Sequence, residues 1–250
     1  MAVRSIWVWR SGSIIAEHSS IWRGEPGPAL AVPVTWAMLD TDDGIWLIDA
    51  GFADEAATDP VGRYGVAGER VRLDPNETMA NRLAEAGIDD GPLTGVLLTH
   101  LHYDHAGGLS HLPSGTVAYT SEIEMAAAKN YAGRRGYDAQ DLQAPVEWRL
   151  YDGSHTAVDG VTLSPSPGHS VGHVSFLIEC GSTRYLYTGD AAPTVRSIEE
   201  RIGPGLFVDS AASLESLDRL ITASQGAVIL PSHDPSFWGD EHLHRYVATY

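Results

Sequence analysis

Four potential metal ligands lie within six residues, His100-Leu101-His102-Tyr103-Asp104-His105, directly after the apolar run Gly95-Val96-Leu97-Leu98-Thr99. A short run of that kind reads as a buried strand. The chain must therefore deliver three imidazoles and a carboxylate beside its own core, where each unpaired polar group costs on the order of several kcal/mol. Either hydrogen-bond partners or a cation must meet them. Imidazole and carboxylate without thiolate form the donor set of catalytic zinc sites. Positions i and i+2 face alike in extended backbone, so His100 and His102 turn to one side and Asp104 and His105 to a neighbouring position. That spacing fits two ions better than one.

The remaining ligands must come from elsewhere in the chain. Pro167-Gly168-His169 is a turn after a predicted strand at 161–165. Thr188-Gly189-Asp190 ends a strand at 184–188, and Pro231-Ser232-His233 ends one at 227–230. All three lie at strand ends, where α/β folds place ligand sites.

Elsewhere the pattern alternates strands and helices. Residues 3–10 and 32–39 read as strands, and Asp42-Asp43-Gly44 turns the second into a hairpin with 45–48. Residues 52–73 lack periodicity and read as a long loop of the kind that is often functional. Asp74-Pro75-Asn76-Glu77 offers an N-cap, Pro at N1 and Glu at N3, with Met79, Leu83 and Ala86 on one face and Gly87 as the stop. A helix over 122–129, an irregular segment over 130–146, and strands at 148–151 and 173–179 follow. The last helix, about 213–223, should turn Leu214, Leu217 and Ile221 inward. The order of strands, helix, strand and histidine occurs twice, which predicts a single domain over 1–250 built of two similar α/β halves with a site between them.

Charge and cysteine content narrow the function. A net charge of −17 disfavours nucleic acid, whose phosphates need clustered Lys and Arg, and an anionic membrane surface. The single Cys180 excludes an intramolecular disulfide and a cysteine-based zinc site. The N-terminus lacks signal-peptide features and no run is long enough to span a membrane, so a cytoplasmic location is expected. No G-x-S-x-G elbow offers a nucleophilic serine.

His100-Leu101-His102-Tyr103-Asp104-His105 resembles the H-x-H-x-D-H signature of the metallo-β-lactamase superfamily, whose later motifs follow in order as His169, Asp190 and His233. The resemblance spans essentially the whole chain. It implies an α/β fold, the αββα sandwich, with His100, His102 and His169 on one metal, Asp104, His105 and His233 on the other, and Asp190 bridging. Asp49, in Leu47-Ile48-Asp49-Ala50-Gly51, resembles the early aspartate that orients the histidine loop. Two zinc ions are the implied cofactors, with iron, cobalt or manganese as alternatives.

Within the superfamily the chain is most similar to N-acyl-homoserine lactone lactonases, the quorum-quenching enzymes. The shared texture includes Glu17-His18-Ser19-Ser20, the loop around Tyr64, His105-Ala106-Gly107-Gly108, Pro167-Gly168-His169-Ser170-Val171-Gly172-His173 and Ser232-His233-Asp234. Asp190 stands where some β-lactamases carry cysteine, and His102 stands where flavodiiron proteins carry glutamate. The resemblance departs at Pro193, where those lactonases have a tyrosine that contacts the substrate. The implied activity is opening of a small-molecule lactone by a metal-bridging hydroxide, with Asp104 or Asp190 handling the proton. Alternatives are hydrolysis of another lactone or ester, or a non-hydrolytic ligand-binding member of the same fold. Trp22, Trp36, Tyr64, Tyr103 and Phe207 are candidates for lining an acyl-chain pocket. His18 and His173 read as supporting or structural, and His111, His155, His242 and His244 as surface residues.

Overall fold

A computed structural model describes residues 3–88, 93–151, 156, 158–239 and 241–249. Among these residues twelve strands run in chain order: β1 (Val3–Ala16), β2 (Leu30–Thr41), β3 (Gly44–Ile48), β4 (Val71–Arg72), β5 (Leu93–Leu97), β6 (Val117–Thr120), β7 (Glu147–Leu150), β8 (Val161–Pro165), β9 (Val174–Cys180), β10 (Thr183–Gly189), β11 (Ala227–Pro231) and β12 (Leu243–Val247). Hydrogen bonding links them in the order β11-β10-β9-β1-β2-β3-β5-β6-β7, with β4 and β12 on β1 and β8 on β9. The pairs β3–β5, β5–β6, β6–β7 and β10–β11 are parallel, and β1–β2–β3 form antiparallel hairpins.

The network folds over on itself, and side-chain alternation makes the layers. Ile6, Val8, Ala37, Leu39, Trp46, Ile48 and Leu97 from one half meet Leu163, Phe176, Ile178, Tyr185, Tyr187 and Leu230 from the other in a shared core. Their neighbours in sequence point the opposite way: Trp9, Trp36, Met38, Leu47 and Val96 pack outward against Met79, Leu83, Met125 and Ala128 of helices Met79–Glu85 and Glu122–Tyr131. On the far side Leu186 packs against Leu217 and Leu220 of helix Ser210–Ala223. Period-two strands apolar on both faces require cover on both faces, and the result is helix, sheet, sheet, helix.

Three expectations are corrected. Residues 52–73 are not a structureless loop: helical turns cover Asp54–Ala57, Pro60–Tyr64 and Gly65–Arg70, and β4 then pairs with Ser13 and Ile14 of β1. Short turns of this kind have no apolar period to read. Asp74 caps only the 3₁₀ turn Pro75–Glu77, and Thr78, whose hydroxyl accepts from the Asn81 amide, caps the helix proper. In helix Ser210–Ala223, Leu214 is 45% exposed. Ser213 and Ser216 face inward in its place, because the backbone of Gly168 (φ +135) passes so close that a Cβ there would lie 2.3 Å from Ser213. Only small side chains allow that approach.

Among the described residues, no helix is long and apolar enough to cross a membrane.

Candidate metal centre and active site

The ligand loop leaves the C-terminal end of β5. His102 is extended (φ −70°, ψ 153°), and Tyr103–Ala106 then form one helical turn. This break in direction sends His100 and His102 one way and Asp104 and His105 another. His169 arrives on the turn after β8, Asp190 immediately after β10 and His233 after β11. Three groups of ligand atoms each lie within 4.8 Å of one another: His100, His102 and His169; His100, His105 and Asp190; Asp104, His105 and His233. All seven predicted ligands are brought together. Asp190 lies between the two outer groups, its Oδ2 3.3 Å from His169 Nε2 and its Oδ1 3.2 Å from both His105 Nε2 and His233 Nε2. Asp104 Oδ2 is 3.4 Å from His233 Nε2.

Most of the imidazoles are fixed by bonds made on the side away from the centre. His169 Nδ1 donates to the Leu206 carbonyl (3.0 Å) and His233 Nδ1 to the Pro33 carbonyl (2.7 Å). His105 Nδ1 donates to Asp49 Oδ2 (2.8 Å). The Thr99 hydroxyl donates to Asp49, so it accepts from His100 Nδ1 at 3.0 Å. A ring whose Nδ1 carries the proton presents an Nε2 lone pair. Four such lone pairs, with Nδ1 of His102, converge on the same space.

Buried nitrogen lone pairs need a proton or a cation. His100 Nε2 is buried with no hydrogen-bond partner among the described residues, and His102 Nδ1 lies 3.1 Å from His169 Nε2. Burial, together with His105 and His102, holds His100 well below the usual histidine range. Burial and His169 lower His102 to about 3. On the other side burial also disfavours charge, but Asp190, Asp104 and Asp49 outweigh it and raise His105 well above its ordinary value. Asp190 and Asp104 likewise push His233 up to about 10. Asp190 is itself kept well below the carboxylate range by His233, His105 and His169, against the effect of burial. One half of the cluster thus rejects protons and the other holds them. Nitrogen and oxygen donors at these separations fit two divalent cations.

A cavity of about 400 Å³ opens over the cluster. His102, Asp104, His169, Asp190 and His233 form its floor, and its wall is largely apolar, including Ile14, Ile21, Val32, Leu206, Phe207 and Val208. Tyr103 and Phe207 line it as anticipated. Three other aromatics do not. Trp36 is fully buried and stacks on Trp9 with ring centroids 4.8 Å apart. Trp22 lies behind Ile21 and Val32, donating its indole N–H to Thr194 Oγ1. Tyr64 backs Tyr103 (centroids 4.7 Å apart), and its hydroxyl accepts from the Ala53 amide. Trp22 and Tyr64 support the wall from outside and Trp36 packs beneath the helices, because a bulky ring in a strand or tight turn is more cheaply buried than exposed. Pro193 does line the cavity, and its carbonyl accepts from the His233 amide (2.9 Å).

Asp49 is fully buried with φ +59°, and it receives the Thr99 amide (2.8 Å) and the Tyr187 hydroxyl (3.2 Å) as well as His105. His173 is structural: its Nε2 accepts from the Asp190 amide at 3.0 Å, and its Nδ1 meets Ser166. His18 packs on the Trp22 ring. Of the predicted surface histidines, His242 is exposed. His111 is half-buried and accepts from the Asp54 amide, and His244 is held against Phe237 and Trp238. His155 lies outside the described residues. Sequence reading missed Ser232, which donates to Asp190 Oδ1 (2.8 Å), and Glu124, a carboxylate buried in the apolar face of its helix. The signal for Glu124 was legible, since it shares a helix face with Met125 and Ala128.

A family model of the metallo-beta-lactamase superfamily matches residues 30–233. The chain is 31% identical to an N-acyl homoserine lactonase, AttM, of Rhizobium johnstonii, over 85% of this chain and 86% of the relative. It is 29% identical to an N-acyl homoserine lactonase of Bacillus thuringiensis, over 94% of each. Among solved structures it superposes with a TM-score of 0.84, at 28% identity and over 95% of this chain and 96% of the other, on an N-acyl homoserine lactone hydrolase holding N-hexanoyl-L-homoserine at its catalytic metal centre. The matched span contains all seven converging ligands, and the chain belongs to the metallo-beta-lactamase superfamily.

Proposed function

We propose that this protein hydrolyses the lactone ring of N-acyl-homoserine lactones with two zinc ions. The observation that carries the reading is the cavity: an apolar wall suited to an acyl chain ends on a floor of two carboxylates and three imidazoles. The relatives named above act on that substrate class, and the solved neighbour holds the ring-opened product. His100, His102 and His169 would hold one cation and Asp104, His105 and His233 the other, with Asp190 shared. Each group draws side chains from both sheet halves, so the chain acts as one domain. When bound, such cations polarise a carbonyl and lower the pKa of water.

The chain's own residues do the rest. The apolar wall excludes water from the acyl chain and directs the lactone carbonyl to the floor. Asp104, on the floor, takes the proton of the attacking water and returns it to the leaving ring oxygen, giving the open hydroxy acid. Asp190 is held ionised by three histidines and by Ser232, which keeps the floor anionic and cation-binding. Pro193 offers no hydroxyl to the leaving group, so that proton falls to Asp104.

Metal analysis combined with a pH-indicator assay over a lactone and ester panel tests the reading. Two zinc per chain with turnover of acyl-homoserine lactones supports it. Iron without hydrolysis, or turnover confined to other esters, would overturn it.

A further inference from the structure

Glu124 is fully buried and, among the described residues, receives four hydrogen bonds, none from a charged group. Its Oε1 accepts from the Leu101 amide (3.2 Å) and the Tyr137 hydroxyl (2.9 Å), and its Oε2 from the Ser170 hydroxyl (2.7 Å) and the Gly172 amide (2.9 Å). Burying a carboxylate without a cationic partner is costly, and the apolar face of this helix could be filled more cheaply. The four donors explain its presence. Leu101 separates His100 from His102, Ser170 follows His169, and Tyr137 packs its ring edge on His102 with centroids 4.8 Å apart. One carboxylate therefore ties together the two segments that carry the three-histidine group and the tyrosine that packs against His102. The Ser121 hydroxyl, donating to the Gly172 carbonyl (2.9 Å), adds a second tie between this helix and the His169 turn. None of these bonds reaches Asp104, His105 or His233.

We propose that Glu124 is a positioning residue that sets the spacing of His100, His102 and His169, and so the cation affinity of that site alone. The proposal rests on the two-cation reading above. The physical basis is that a lone-pair cluster binds a cation in proportion to how well its geometry is fixed beforehand, and partners beyond the ligands commonly change metal affinity by about 10–100-fold.

The test is titration of the metal-free protein with cobalt(II) alone, followed by visible absorption and by competition with a chromophoric chelator. Wild type should take up two equivalents. Glu124→Gln should keep one at wild-type affinity and weaken the other by about tenfold or more, and Ser170→Ala and Tyr137→Phe should weaken the same equivalent by less. These two single-donor variants carry the test if Glu124→Gln does not fold, as circular dichroism would report. Two equivalents bound as in wild type, or both weakened equally, would overturn the proposal. Wild type binding fewer than two would instead sink the two-cation reading, and the proposal with it, before any variant is compared.

Discussion

Asp49 Oδ2 lies 2.8 Å from His105 Nδ1, joining the end of β3 to the ligand loop after β5. The same carboxylate holds the Thr99 amide and hydroxyl, and Thr99 in turn holds His100. Asp49 therefore orients one imidazole of each site. Asp49→Asn should weaken cation binding by about 10–100-fold, read by chelator competition. Asp49→Ala should also lower thermal stability, since stranding buried donors costs about 1–3 kcal/mol. Unchanged affinity in both variants would remove Asp49 from the site.

Asp190 approaches histidines of both outer groups. Asp190→Asn replaces a charged bridge with a neutral amide, so bound metal and lactone turnover should fall together, turnover by at least about a hundredfold. Atomic absorption on the purified variant alongside the lactonase assay decides this. Normal metal content with normal turnover would contradict the bridging role.

The cluster makes cation binding and pH interdependent. In the cation-free protein burial disfavours the His233 charge, but Asp190 and Asp104 push it up to about 10, against about 6.5 in an unfolded chain. A raised histidine contributes stability that is full below pH of about 6.5 and is lost as pH rises through about 10. The thermal midpoint of chelated protein should accordingly fall between pH 7 and pH 10. Cation affinity should move the other way, rising by about tenfold per pH unit for each proton displaced. Affinity that is flat across this interval would show that the site holds no such proton.

Phe207 stands in the cavity wall, 42% exposed, with the Arg23 guanidinium 4.0 Å above its ring. Half-burying a phenyl ring against an acyl chain is worth roughly 1 kcal/mol. Phe207→Ala should raise KM for a long-chain lactone about fivefold and leave a short-chain lactone nearly unchanged. Steady-state kinetics on both substrates is the measurement, and equal effects on both would place Phe207 outside the chain's path.

The ligand set was legible in the sequence because metal chemistry imposes residue type and position: His100 to His105 follow an apolar strand, and His169, Asp190 and His233 each follow another. The two α/β halves were legible too, since the order of strands, helix, strand and histidine occurs twice, while the layered sandwich followed only from the family resemblance. Pocket-lining residues were not. Trp22, Trp36 and Tyr64 have the same composition signal as Tyr103 and Phe207, and only packing shows that the first three are buried away from the cavity while the last two line it. The inward face of helix Ser210–Ala223 was misread at Leu214 because the close approach of Gly168 favours serine there over leucine.

By itself, the order of residues determined which side chains could bind metal and that strands would present them, because ligand identity and period-two burial are local properties. The tertiary structure decided the rest. It folded one strand network over so that His169, Asp190 and His233 face the loop begun at His100, and it buried Glu124 among four donors from three separate segments. Those contacts join separate segments of the chain, and no local pattern encodes the distance between two imidazoles that meet only when both halves close on a shared core.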